Sequence, residues 1–110
     1  MKNKYLLPDH VRGLLERAIV LPMPVGWVGI IATALTTGVV PKRAELRAPV
    51  YFGGPNDNYV ATRVFVLFSS VSRYYDPWRT TTVTRNIEHL ASTILRAEKY
   101  ERLCSPNQNP

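Results

Sequence analysis

Tyr59-Val60-Ala61-Thr62-Arg63-Val64-Phe65-Val66-Leu67-Phe68-Ser69-Ser70-Val71 is the stretch on which the fold turns. It is rich in β-branched and aromatic residues, the types that favour strands. Ahead of it stands a second such run, Ala48-Pro49-Val50-Tyr51-Phe52. Between them lies Gly53-Gly54-Pro55-Asn56-Asp57-Asn58, dense in turn formers. Read as strand, turn and strand, the hairpin sets Val64, Val66 and Phe68 on one face and Phe65, Leu67 and Val71 on the other. Apolar residues on both faces predict a central strand covered on each side, with Arg63 and Ser69-Ser70 marking where it leaves the core.

On either side of this hairpin the spacing is helical. Leu7, Val11, Leu14, Leu15 and Ala18 recur at helical intervals, which predicts a first helix from about Pro8 to Ile19. Gly13 weakens that helix by about 1 kcal/mol relative to Ala, so packing must hold it. Ile87, Leu90, Ala91, Ile94 and Leu95 define a second amphipathic helix, with Thr84 or Asn86 as its cap and an end near Glu101. Thr80-Thr81-Thr82-Val83 reads as a short strand or as the lead into that helix.

No charged residue occurs from Ala18 to Pro41. Its proline-free part, residues 25–40, spans roughly 24 Å as a helix, short of the roughly 30 Å hydrocarbon core of a bilayer. Glycines and threonines dilute it further, so the reading is buried core, either a short helix or a strand around residues 27–40.

Two amphipathic helices each need a surface, and a sheet with a two-sided central strand offers two. The expected fold is therefore α+β, a small antiparallel sheet packed against an N-terminal and a C-terminal helix. Its 110 residues fit one domain, expected over residues 1–103, followed by a flexible polar tail over residues 104–110.

The inventory for chemistry is thin. Cys104 stands alone and cannot form an internal disulfide. With only His10 and His89 beside it, it falls short of a four-ligand zinc site. Asp9-His10 and Glu88-His89 are sequence neighbours, which point about 100° apart on a helix and do not face each other. Ser69, Ser70 and Ser72 lack the glycines of a nucleophile elbow. The expectation is a protein that is not an enzyme and uses no metal or cofactor.

Fourteen Lys and Arg against eight Asp and Glu give a net charge of +6. That excess suits nucleic acid, anionic lipid or an acidic protein. Arg73, Tyr74, Tyr75, Trp78 and Arg79 mix the residue types enriched at protein-interface hot spots, and make a candidate protein interface. The same mixture can stack on unpaired bases. An alternative is that Trp78 and one Tyr close the core beneath a loop. Lys42, Arg43, Arg47 and Arg63 form a second candidate set, suited to electrostatic contact with DNA.

The order of elements resembles the tail-terminator and neck-type proteins of long-tailed bacteriophages. The similar parts are Asp9-His10-Val11-Arg12-Gly13-Leu14-Leu15, Thr36-Thr37-Gly38-Val39-Val40-Pro41, Arg47-Ala48-Pro49-Val50-Tyr51-Phe52-Gly53-Gly54, Arg63-Val64-Phe65-Val66-Leu67-Phe68-Ser69 and Asn86-Ile87-Glu88-His89-Leu90-Ala91-Ser92-Thr93-Ile94. The resemblance implies a non-enzymatic structural protein of the virion, assembled in the host cytoplasm. It would form a homo-oligomeric ring, a hexamer among the candidates, against tail-tube and neck proteins, with non-specific contact to DNA. Two other readings stand beside it: a small membrane-anchored subunit using residues 19–40, and a basic module that binds nucleic acid without sequence preference.

Overall fold

The computed structural model describes residues 5–46 and 59–103. Among these residues the protein is built of helices, with no sheet. Its elements are α1 (Asp9–Ala18), α2 (Val25–Thr37), the single turn α3 (Arg43–Leu46), α4 (Tyr59–Val71), a 3₁₀ turn (Pro77–Arg79) and α5 (Thr81–Leu103). The expected α+β sandwich is thereby corrected. The stretch read as its central strand is α4, a helix of 13 residues. The other half of the predicted hairpin, residues 48–58, lies outside the described residues.

The reason is visible in which side chains are buried. Val60, Ala61, Val64, Leu67, Phe68 and Val71 are all in the core. Their spacing of three and four is one face of a helix, whereas a strand would bury alternate residues. Valine and threonine cost a helix only about 0.5 kcal/mol each in propensity, against roughly 1.5–3 kcal/mol for burying a side chain such as Val, Leu or Phe. Burial wins because α5 presents a matching stripe: Val83, Leu90 and Ile94 are fully buried, with Ile87 and Ala97 packed at its edge. The two helices form an αα-hairpin, the most extensive helix pair in the structure.

Both predicted amphipathic helices are present. α1 buries Val11, Leu15 and Ala18 and starts from Pro8, whose carbonyl accepts the Val11 and Arg12 amides. α5 begins earlier than its sequence suggested. Thr80 is the cap, its Oγ1 accepting the Val83 amide at 3.1 Å, so the threonines read as a strand or lead-in form the first helical turn. The ambiguous apolar segment is helix α2, which buries Trp27, Ile31 and Ala34. Trp27 meets Phe65 of α4 edge to face, with ring centroids 6.1 Å apart, a favoured aromatic geometry.

Three contacts set the helix directions. The Tyr5 hydroxyl donates to the Tyr74 carbonyl in the α4–α5 turn at 2.9 Å. The Leu7 amide donates to the Gly38 carbonyl at the end of α2, also at 2.9 Å. Arg17, in the last turn of α1, pairs with Glu98 far along α5. The start of α1, the end of α2 and the α4–α5 turn therefore share one end of the bundle. Helices α1 and α5 run away from that end, and α2 and α4 run toward it.

Gly38 ends α2 at φ 76°, the left-handed region that only glycine enters cheaply. Arg12 seals the same terminus, its Nη1 donating to the Leu35 carbonyl at 3.0 Å, so a cation sits at the negative end of the helix dipole. A Cβ on Gly38 would meet the Arg12 guanidinium at 3.3 Å, whereas one on Gly13, in the middle of α1, would meet nothing within 4 Å. Gly38→Ala should therefore destabilise the fold by about 1–2 kcal/mol, from the left-handed conformation alone. Gly13→Ala should stabilise it by about 0.5–1 kcal/mol. Urea unfolding of both variants checks the opposite signs.

Candidate binding surfaces

The α4–α5 turn carries the residues singled out as an interface, and the structure divides them. Tyr74 and Trp78 are half-buried and pack against the core. They close the bundle end, as the alternative reading of the loop allowed. Tyr75 is 94% exposed, and Arg73 and Arg79 flank it on the surface. Arg79 lies 3.9 Å from Asp76 in an open pairing, a contact worth little in water.

This turn is held firmly from beneath. Ser70, at the end of α4, is buried; its hydroxyl donates to the Leu67 carbonyl at 2.8 Å and accepts from Asn86 Nδ2 at 3.0 Å. The serines read as a strand leaving the core are thus a helix end tied to α5. Thr80 Oγ1 donates to the Pro77 carbonyl, and the Tyr5 hydroxyl clamps the Tyr74 carbonyl from the N-terminal segment. The conformation presenting Tyr75 is set before any partner arrives, which lowers the entropy cost of binding.

Of the second predicted set, only the Lys42 and Arg63 side chains are among the described residues. Lys42 is exposed, at the end of the bundle shared with the turn. Arg63 is half-buried on α4, eight residues before its C-terminus and so about 12 Å along the axis from the turn. Arg43 is described only by its backbone in α3, and Arg47 lies outside the described residues. Arg85 joins the turn instead, exposed on the second turn of α5, with Thr81 and Thr82 exposed just ahead of it.

The reading of residues 27–40 as buried core misses a further surface. One side of α2 is buried, but Val25, Gly26, Gly29, Thr33, Thr36 and Thr37 face outward. Val25 is 85% exposed and Val20, just before the helix, 80%. None of these outward-facing α2 residues carries a charge. No helix among the described residues is long and apolar enough to cross a membrane, so α2 gives the membrane-anchored alternative no span.

The comparisons add no relative. No protein-family model, curated protein or solved structure matches this chain. Among the described residues no three His, Cys, Asp or Glu side chains gather as metal ligands. His10 and His89 are both exposed, on different helices, and Cys104 lies outside the described residues. The exposed Arg17–Glu98 pair, with Nε–Oε2 at 3.0 Å and Nη2–Oε1 at 2.6 Å, links α1 to α5. Hydrogen bonding to Glu98 raises the Arg17 pKa above its ordinary value. The guanidinium stays charged throughout the range where proteins fold.

Tyr5→Phe removes the clamp on the turn while leaving the ring in place. It should cost about 0.5–1.5 kcal/mol and speed amide exchange at Arg73–Arg79. Unchanged exchange in that segment would show that the turn is held by other contacts.

Proposed function

We propose that this protein is a non-enzymatic assembly protein that associates with further copies of itself through the outer face of α2. The observation that carries the reading is an uncharged, partly apolar helix face left exposed on a molecule whose net charge is +6. Two copies of a cationic protein repel, and the repulsion is least where no cation lies. Gly26 and Gly29 bear no side chain and Thr33 and Thr36 short ones, which leaves room for a second helix to approach closely.

Size sets the strength of this contact. A helix of 13 residues is about 20 Å long, and a strip about 10 Å wide along it offers roughly 200–400 Å². That is comparable with the largest patches of ordinary monomers, about 300–600 Å², and below the roughly 800 Å² per partner of a standard stable interface. Association through α2 alone is therefore reversible and depends on concentration. It strengthens with salt, because salt screens the repulsion between copies.

An assembly role is also what the resemblance to tail-terminator proteins implies. That resemblance, however, rests on a hairpin whose second strand is α4, so the present reading stands on α2 and carries no ring size. Light scattering over a range of concentrations tests it. Mass should climb with protein concentration and with salt. Thr33→Arg should hold the chain monomeric with an unchanged helical spectrum. Gly29→Ala, whose Cβ meets nothing within 4 Å, should raise monomer stability by about 0.5–1 kcal/mol. A constant monomer mass for the native chain at every concentration would contradict the proposal.

A further inference from the structure

The α4–α5 turn points to a second activity that does not depend on self-association. We infer that this end of the bundle binds single-stranded nucleic acid without sequence preference, gripping the phosphate backbone with Arg73, Arg79 and Arg85 while an unpaired base stacks on Tyr75.

Four observations converge on it. First, the three arginines are exposed around one short turn, and Asp76 is the one acidic residue of that segment, residues 72–87. Second, the carbonyl-bearing helix ends at this end of the bundle are already occupied by the protein's own donors. Leu35 accepts from Arg12, Leu67 and Ser69 accept from the Ser70 and Ser72 hydroxyls, and Ala34 accepts from the Gly38 amide. The carboxylates at this end include the exposed Asp9, at the start of α1, and Asp76, which the three arginines outnumber. Third, Tyr75 is 94% exposed on a turn whose neighbouring aromatics, Tyr74 and Trp78, are committed to the core. A flat aromatic ring in water beside guanidinium groups is the element on which unpaired bases stack. Fourth, Thr81 and Thr82 expose hydroxyls on the first turn of α5, the kind of neutral donor that joins Arg in phosphate contacts. The α5 terminus itself is capped by Thr80, so the attraction comes from side chains and not from the helix dipole.

An acidic protein would satisfy the arginines too, but an unpaired strand offers a flat base beside each phosphate, matching a ring set among guanidinium groups. Each arginine neutralises one phosphate, so three of them give a salt slope near −2 for a single strand.

The test is fluorescence anisotropy of the full chain with a labelled mixed-sequence DNA oligonucleotide of a dozen nucleotides. Affinity should fall about 20-fold between roughly 50 and 200 mM salt. Arg73→Ala, Arg79→Ala and Arg85→Ala should each flatten the slope by about 0.7 and weaken binding alike for different sequences. Tyr75→Ala should weaken it about tenfold with the slope unchanged. All four side chains are exposed, so these variants should fold as the native chain does. Arg96→Ala is the control, since Arg96 is exposed on α5 toward its far end, and it should leave binding unchanged. The inference is overturned if Arg96→Ala weakens binding as much as Arg79→Ala does. Affinity that ignores salt would overturn it as well. So would an oligoglutamate peptide that binds through the same arginines where the oligonucleotide does not, because the partner would then be an acidic protein.

Discussion

Everything in this protein hangs on two apolar stripes meeting between α4 and α5. Val60, Val64, Leu67 and Val71 repeat at intervals of four, three and four; Val83, Ile87, Leu90 and Ile94 do the same. Such spacing keeps two helices in register along their length. Once paired, they offer a surface to the remaining elements. Helix α1 lies along α5 with Val11 and Leu15 fully buried, Trp27 brings α2 against Phe65, and Leu46 anchors the single turn of α3 beside α4. No buried side-chain nitrogen or oxygen among the described residues is left without a partner.

That packing sorts the chemistry of the surface. The same hairpin that buries Tyr74 and Trp78 drives Tyr75 and its flanking arginines outward at one end. The demand for Trp27, Ile31 and Ala34 in the core turns the glycines and threonines of α2 to the outside along one side. A cationic end and an uncharged helix face respond to salt in opposite ways, since screening weakens contact with a polyanion and relieves repulsion between copies. The proposed binding and the proposed assembly would in this way be separable by ionic strength.

How much of this was legible in the sequence follows from the residues themselves. Helices α1 and α5 were readable because their apolar residues sit at three- and four-residue intervals between polar ones. Helix α4 was not, because valine and phenylalanine dominate residues 64–68 so densely that alternation and helical spacing both fit. The discriminating signal was length: 13 residues without a breaker exceed an ordinary strand and suit a helix. In α2 the near-uniform apolarity concealed an exposed side, since sequence hydropathy says nothing about which side of an uncharged helix finds a partner. Composition marks the Arg, Tyr and Trp mixture of residues 73–79 as one group. It could not divide Tyr74 from Tyr75, because that division depends on the clamp from Tyr5, 69 residues away. Arg85 was passed over as a member of the site because the start of α5 was set at Thr84 or Asn86 instead of at the Thr80 cap.

Residues 59–71 are a helix packed on α5, and backbone carbon chemical shifts of the chain in solution read this directly. Helical Cα shifts should run without interruption from Tyr59 to Val71, with sequential amide–amide contacts along the segment. Strand-type shifts over those residues, together with cross-strand contacts to residues 48–52, would contradict it and restore the sheet.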